Sequence, residues 1–180
     1  MKKQVMKRVM IVGTAGVGKT TLATLIGGLT GLPVHHLDLL AWTAGWVRRP
    51  AKDFERDVDK VLKGERWVVD GNYTKSLPVR AGHADTLILI DLPLWQCLLR
   101  VFGRWWQHTD MFGRGKQRPD LPEGCPEPLP WTFLKWVLSA PPRHQSLWLE
   151  VAGKNPKMRF IHLTSARQVD EFVQGLRHEK

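Results

Sequence analysis

Gly13-Thr14-Ala15-Gly16-Val17-Gly18-Lys19-Thr20 has residue types and a spacing suited to holding a chain of phosphates. Glycine admits the positive-φ conformations that turn several backbone N–H groups toward one anion. An apolar run, Val9-Met10-Ile11-Val12, precedes the loop, and Thr20-Thr21-Leu22-Ala23-Thr24-Leu25-Ile26 continues it as a helix. That helix start adds unpaired donors and the positive end of its dipole. Gly13, Ala15, Gly16, Val17, Gly18, Lys19, Thr20 and Thr21 are therefore the expected phosphate cradle. Lys19 is placed to reach the β- and γ-phosphates of a nucleoside triphosphate, and the Thr20 hydroxyl to ligate Mg²⁺. ATP and Mg²⁺ are the ligands such a loop calls for.

Three aspartates stand where apolar runs end. Asp70 follows Trp67-Val68-Val69, which suits either a carboxylate that holds Mg²⁺ through water or a turn aspartate in Asp70-Gly71. Asp38 follows Leu32 to Leu37; it either orients or deprotonates an acceptor hydroxyl, or lies solvated in a loop. Asp91, in Ile90-Asp91-Leu92-Pro93, is expected to cap a helix. Arg100 and Arg104 share a helix face at i, i+4, and Arg114 and Arg118 follow in a glycine-rich stretch. Phosphoryl transfer needs positive charge around the migrating group, and arginines on a closing lid supply it; each one taken alone also reads as a surface arginine. Trp42 and Trp46 flank Gly45 just after Asp38, where an indole can stack on an acceptor ring. His35 and His36 alternate on a predicted strand without metal-ligand company, and Cys125 with His108 makes an incomplete zinc set.

The elements that must position these residues alternate between short apolar runs and helical patterns, the signature of a parallel α/β sheet. Strands are predicted at Val9–Val12, Leu32–Leu37, Trp67–Val69, Thr86–Ile90 and Arg159–Leu163. Helices are predicted from Lys19, over Asp53–Lys63, from about Pro93 to Trp106, within Trp131–Val151, and after Ser165, with Val169, Phe172, Val173 and Leu176 on the inner face. Strands of such a sheet end on one edge, and ligands bind there. Gly13, Asp38, Asp70 and Asp91 all fall at or just past strand ends. Gln107 to Pro130 turns polar and rich in glycine and proline, as expected of a lid or a long surface loop.

A chain of 180 residues suits one domain with a small insertion. Two cysteines far apart in sequence make neither a redox motif nor a disulfide framework, which fits a reducing cytoplasm. The charged N-terminus followed by Val9–Val12 mimics a secretory signal, but its apolar part stops at Gly13. Thr86 to Phe102 contains Asp91, Pro93 and Arg100 and is not a membrane span. The net charge of +10 asks for an acidic partner, either nucleotide phosphates or nucleic acid. Because the excess is spread along the chain, nucleic acid is the less favoured partner and a small phosphoryl acceptor the expected one.

With these residues in place, the chain resembles the adenylate-kinase-like P-loop kinases. Asp70-Gly71-Asn72-Tyr73 is similar to their Asp-Gly-Phe-Pro-Arg segment, and Leu89-Ile90-Asp91-Leu92-Pro93 leads to Arg100 and Arg104 as their lid-entry helix does. The match is closer to the DNA topology modulation (FlaR-like) subgroup. It is carried by His36-Leu37-Asp38, Gly45-Trp46, Asp70-Gly71-Asn72-Tyr73, Arg118-Pro119-Asp120 and Glu123-Gly124-Cys125-Pro126-Glu127.

The resemblance implies a three-layer α/β P-loop NTPase fold with a five-stranded parallel sheet of order 2-3-1-4-5. It also implies one domain, 1–180, with a helical acceptor-binding insertion at about 39–80 and a lid at about 107–130. By that likeness Asn72 belongs to the substrate side, Arg80 grips an acceptor phosphate, and Ala166 and Arg167 lie near adenine. One departure stands out: Tyr73 is followed by Thr74-Lys75 in place of Pro-Arg, so AMP held in the usual way is not the expected acceptor. The function implied is ATP- and Mg²⁺-dependent transfer of a γ-phosphoryl group to a nucleotide-like or hydroxyl-bearing small molecule. Its catalytic residues would be Lys19, Asp38, Arg100, Arg104 and Arg118. The alternative is a nucleotide-binding regulator of DNA topology with little turnover.

Overall fold

The computed structural model describes residues 6–108, 120–125 and 141–178. β1 (Arg8–Gly13) has Val9 through Gly13 buried, as a strand covered on both faces must be. It sits at the centre of a five-stranded sheet and pairs in parallel with β5 (Trp67–Asp70) on one side and β6 (Thr86–Ile90) on the other. β2 (Val34–His36) lies outside β5, and β7 (Arg159–Leu163) lies outside β6. Counting only the strands of this sheet in chain order, the arrangement is the expected 2-3-1-4-5.

Alternating residues of each strand build two cores, one per face. Val9, Ile11, Val68, Ile88 and Ile90 meet α1 (Lys19–Thr30) through Leu22 and Ile26. The same core takes Val173 and Leu176 from α7 (Ala166–Arg177). On the other face Met10, Val12, Val69, Leu87 and Leu89 meet α3 (Ala51–Leu62) through Val58 and Leu62. Leu77 and Ala81 of α4 (Leu77–His83) and Trp148 and Val151 of α6 (Pro141–Lys154) complete that layer. Three layers result. The Ser165 hydroxyl accepts from the Gln168 amide at 3.2 Å, so the predicted N-cap of α7 is present.

Several elements differ from the sequence expectation. The second strand covers only Val34–His36, because the chain passes at once into α2 (Leu37–Ala41), a single helical turn that carries Asp38. Trp42 and Trp46 do not sit in an irregular loop. Trp42–Thr43 (β3) and Val47–Arg48 (β4) pair antiparallel across a 3-10 turn, Ala44–Trp46. α5 (Leu94–His108) starts one residue later than expected and runs two residues further. Residues 39–80 therefore include the core strand β5 as well as the hairpin and α3 that stand over the sheet edge. Of the predicted lid, residues 107 and 108 end α5 and 120–125 are described; Asp120, Leu121 and Cys125 there are buried, unlike a solvated surface loop.

Arg80 is a structural residue of this frame. It is fully buried, and its guanidinium donates to the Gly71 carbonyl at 3.0 Å and the Tyr73 carbonyl at 3.1 Å. Burial pulls its pKa down to about 10. Arg80→Ala leaves the buried Gly71 carbonyl without this donor, while the Tyr73 carbonyl keeps the Ser76 amide and hydroxyl; an unpaired buried group costs about 1–3 kcal/mol. The expected loss is about 1–3 kcal/mol, a drop in Tm of roughly 2–12 °C for a chain of this size, measurable by calorimetry.

Candidate active site

β1 delivers the chain to the glycine-rich loop at the carboxyl edge of the sheet. Gly16 has φ +82°, and a Cβ there would lie 2.5 Å from the Cys97 carbonyl and 2.8 Å from Val101 Cγ2. The loop thus packs directly on the backbone of α5, which leaves no room for a side chain. Gly18 is the N-cap of α1. Lys19 Nζ donates to the carbonyls of Gly13 at 2.9 Å and Thr14 at 3.1 Å. Burial lowers the pKa of this ammonium, while the Asp70 and Asp38 carboxylates act in the opposite direction. A buried ammonium, a glycine-rich turn and a helix N-terminus converging on one spot fit a chain of phosphates.

Thr20 carries the second part of the site. Its hydroxyl oxygen lies 3.0 Å from Asp70 Oδ2 and 3.2 Å from Asp120 Oδ2. Ligands at neighbouring corners of a Mg²⁺ octahedron, each about 2.1 Å from the ion, are about 3.0 Å apart. Thr20 and Asp70 therefore fit Mg²⁺ in both donor chemistry and spacing. Such a set relies on a hydroxyl, phosphate oxygens and water, and no cluster of three or more His, Cys, Asp or Glu side chains among the described residues could hold a metal. His36 Nδ1 is 2.6 Å from Asp70 Oδ1. This hydrogen bond raises the His36 pKa and fixes the orientation of the Asp70 carboxylate.

The other end of the cleft is built around Asp38. Asp38 points from α2 into it, and the Tyr73 hydroxyl donates to Asp38 Oδ1 at 2.7 Å. Burial pushes the Asp38 pKa up, and the Tyr73 hydrogen bond and the Lys19 charge pull it back. Burial, followed by the Asp38 charge, raises the Tyr73 pKa well above its usual value, so the phenol stays a donor. The Trp42 and Trp46 rings meet edge to face at 5.5 Å, and the Arg48 guanidinium stands 6.0 Å from the Trp42 centroid. Phe54 of α3 packs on Tyr73 at 4.8 Å. Together these make an aromatic wall beside a carboxylate.

The cleft brings most of the expected residues together. Ala15 through Thr21, Asp38, Trp42, Trp46, Asp70, Asn72, Arg100 and Arg104 all line it. Its volume, about 1630 Å³, exceeds the roughly 300–1,000 Å³ of an ordinary single-ligand pocket. Arg100 donates to the Val17 carbonyl at 3.0 Å, bracing the loop from α5. Arg104 is close enough to Lys19 to act on its charge.

Four expectations need correction. Asn72 lines the cleft but spends its amide on the loop, donating to the Gly13 carbonyl at 2.6 Å and accepting from the Gly13 amide at 3.3 Å. Gly13 therefore lies behind the cradle, its N–H already engaged. Arg80 does not reach the acceptor end, because its buried guanidinium holds the Gly71 and Tyr73 carbonyls. Arg167 stands on the outer side of α7, 87% exposed and paired with Glu171 at 2.7 Å, while Val169 and Val173 of that helix face the cleft. Arg118 and Arg114 lie outside the described residues.

Three contributors were not singled out as site residues from the sequence. His36 carried only its company on a strand. Tyr73 was visible only as the aromatic of a motif. Asp120 is brought to Thr20 from 100 residues away, and in the sequence it stood only as the last residue of the motif Arg118-Pro119-Asp120, without a role.

No family model and no curated protein matches the chain. Solved structures do. A shikimate kinase from Acinetobacter baumannii in complex with shikimate superposes with TM-score 0.58 at 14% identity over 96% of this chain and 91% of its own. A shikimate kinase from Bacteroides thetaiotaomicron gives TM-score 0.56 at 16% identity over 97% and 98%. A gluconokinase from Sinorhizobium meliloti gives 0.50 at 13% over 98% and 92%. The chain thus has the α/β fold of these kinases, over nearly its whole length.

The His36–Asp70 contact makes a pH prediction. The His36 pKa is raised above 6.5 in the folded protein, so the pair's contribution is fully present below pH 6.5 and is lost as pH rises through the raised value. Melting curves of wild type and His36→Gln should therefore differ most below pH 6.5 and converge at alkaline pH.

Proposed function

We propose that the protein is an ATP- and Mg²⁺-dependent small-molecule kinase of the adenylate-kinase-like group, resembling its FlaR-like subgroup. The observation that carries this reading is one continuous cleft with the Lys19–Thr20 loop at one end and the Asp38–Tyr73 pair with its aromatic wall at the other. A hydrolase needs no such second compartment. The kinase names of the structural neighbours agree with it.

In this reading Lys19 and the loop amides hold the β- and γ-phosphates, and Thr20 and Asp70 hold Mg²⁺, which draws charge off the phosphate oxygens. Arg100 and Arg104 reach the loop from α5, where charge builds as the γ-phosphoryl group moves, and the family resemblance would add Arg118. Asp38 accepts the proton of the acceptor hydroxyl as that oxygen bonds to phosphorus and the bond from phosphorus to the β-phosphate oxygen breaks. Burial suits Asp38 to this work by raising its basicity, while Tyr73 and Lys19 keep it ionised. The acceptor is a hydroxyl-bearing molecule with a ring for Trp42 and Trp46. The spread of the +10 charge favours phosphorylated small molecules over nucleic acid, and the free cysteines suit a cytoplasmic enzyme.

A screen of nucleosides, nucleoside monophosphates and small alcohols for acceptor-stimulated ADP formation tests the reading. Lys19→Ala should lower that turnover by about 100-fold or more and weaken ATP binding. Unchanged turnover in this variant sinks the assignment. DNA binding with a steep salt dependence and no acceptor-stimulated ADP would point instead to the nucleic-acid regulator.

A further inference from the structure

With Arg80 committed to backbone, the described cations that line the Asp38 end of the cleft are Arg48, Arg49 and Lys75. Arg49 is already engaged: it donates to Asp57 Oδ2 at 2.6 Å and to the Leu40 carbonyl at 2.8 Å. Arg56 of α3 is likewise shared between Asp53 and Asp57. Arg48 differs. Among the described residues no carboxylate lies within ion-pair distance of it, and its guanidinium stands 6.0 Å from the centroid of the Trp42 ring. The hairpin register puts it there. Trp42 and Arg48 are direct cross-strand partners, so their side chains leave the same face of the ribbon, and both line the cleft. Thr43 and Val47 pair on the opposite face. The Arg48 charge is felt at the Tyr73 hydroxyl, where it counters the effect of burial.

Lys75 comes to the same end from another element. It belongs to the 3-10 turn Thr74–Ser76, which directly follows Tyr73 and is closed by the Ser76 amide and hydroxyl on the Tyr73 carbonyl. Lys75 also lines the cleft, and no described carboxylate is paired with it. The two chain segments joined by the Asp38–Tyr73 hydrogen bond thus each bring one cation to this end. Glu55 of α3 is the acid that lines it besides Asp38. Once Asp38 is engaged with a hydroxyl, one carboxylate against two cations leaves a positive surplus. An exposed cation at a cleft mouth is common by itself. An arginine laid against the ring that borders the acceptor carboxylate, with a lysine lining the same end, is an anchor for a second group of a bound molecule.

We infer that Arg48 and Lys75 form an anion subsite, and that the acceptor therefore carries a carboxylate or phosphate group besides its reactive hydroxyl. The inference rests on the kinase reading for the transfer itself, and deepens it by fixing the acceptor's charge and the residues that select it. Three groups of the acceptor then meet three features of the chain: the hydroxyl meets Asp38, the ring meets the aromatic wall, and the anion meets Arg48 and Lys75. Charge-assisted hydrogen bonds are about twice as strong as neutral ones, so a neutral analogue forfeits most of this grip. Arg48 is the more selective of the two, because its planar fork can hold two oxygens at once.

The test uses the full-length protein saturated with a non-hydrolysable ATP analogue and Mg²⁺, so that the phosphate loop is filled. Calorimetry then compares three probes that share a ring and a hydroxyl: para-hydroxybenzoate, para-hydroxyphenyl phosphate and the neutral methyl para-hydroxybenzoate. At least one anion should bind about tenfold or more tightly than the ester, and the tighter anion identifies the acceptor's charged group. Arg48→Gln should bring that ratio to about threefold or less, and Lys75→Gln should lower it in the same direction, while Lys75→Arg keeps it. Arg48 and Lys75 are both exposed, so these variants fold. Arg177→Gln removes the same charge from the α7 side of the cleft and should leave the ratio unchanged. The inference is overturned if the ester binds as tightly as both anions, or if none of the three probes binds. It is overturned equally if Arg48→Gln leaves the ratio unchanged, or if Arg177→Gln lowers it as much. Failure of the kinase reading looks different: the ATP analogue would not bind, or no acceptor would stimulate ADP formation, whatever the anion ratio.

Discussion

The two hydrogen bonds between the Asn72 side chain and the backbone of Gly13 join the two turns that hold most of the cleft's chemistry. One turn is the phosphate loop leaving β1; the other is Asp70-Gly71-Asn72-Tyr73 leaving β5. Their strands are already neighbours in parallel register, with Ile11 beside Asp70. The Gly71 amide still donates to the Ile11 carbonyl at 3.3 Å, and there the ladder between these two strands ends. The amide of Asn72 extends the pairing by one more step, with a side chain acting as backbone. Arg80 holds the same turn from beneath through the carbonyls of Gly71 and Tyr73. Asp70, Tyr73 and Lys19 therefore stand in fixed relation, and Asp38 joins them through the Tyr73 hydroxyl.

This rigidity also settles an electrostatic problem. Lys19, Asp38, Asp70, Asp120 and Arg80 are all largely removed from solvent, and burying isolated charges is costly. Their arrangement offsets much of that cost. Lys19 lies in the field of Asp70 and Asp38, His36 is bonded to Asp70, and Tyr73 is bonded to Asp38.

The central strands were legible in the sequence because a strand covered on both faces must be continuously apolar, and Val9–Val12 and Thr86–Ile90 are. The phosphate loop was legible because backbone geometry, which any family member shares, dictates glycine at its turns. The hairpin of Trp42–Arg48 was not: two residues per strand give no period to read, and its turn depends on a bond to Gly124 far away in the chain. Arg80 and Asn72 both spend side-chain hydrogen bonds on backbone. A polar side chain in a functional motif can serve backbone as readily as ligand, and only three-dimensional placement separates the two. Asp120 was read as part of a motif but given no role, because a polar, proline-rich stretch looks solvated even where part of it is buried.

The hairpin that carries the two tryptophans has a consequence for how such a protein can change. It is built from β3 and β4, two residues each, and its backbone joins the body through few bonds, among them Arg49 N–H to the Ala41 carbonyl and Gly45 N–H to the Gly124 carbonyl. None of its residues belongs to either hydrophobic core. Drift or deliberate exchange of Trp42–Arg48 could therefore proceed without cost to folding, so long as the glycine turn and its docking point were kept. The molecule is in this sense an invariant engine with an interchangeable jaw, and variety among descendants should collect in those seven positions before it touches the frame.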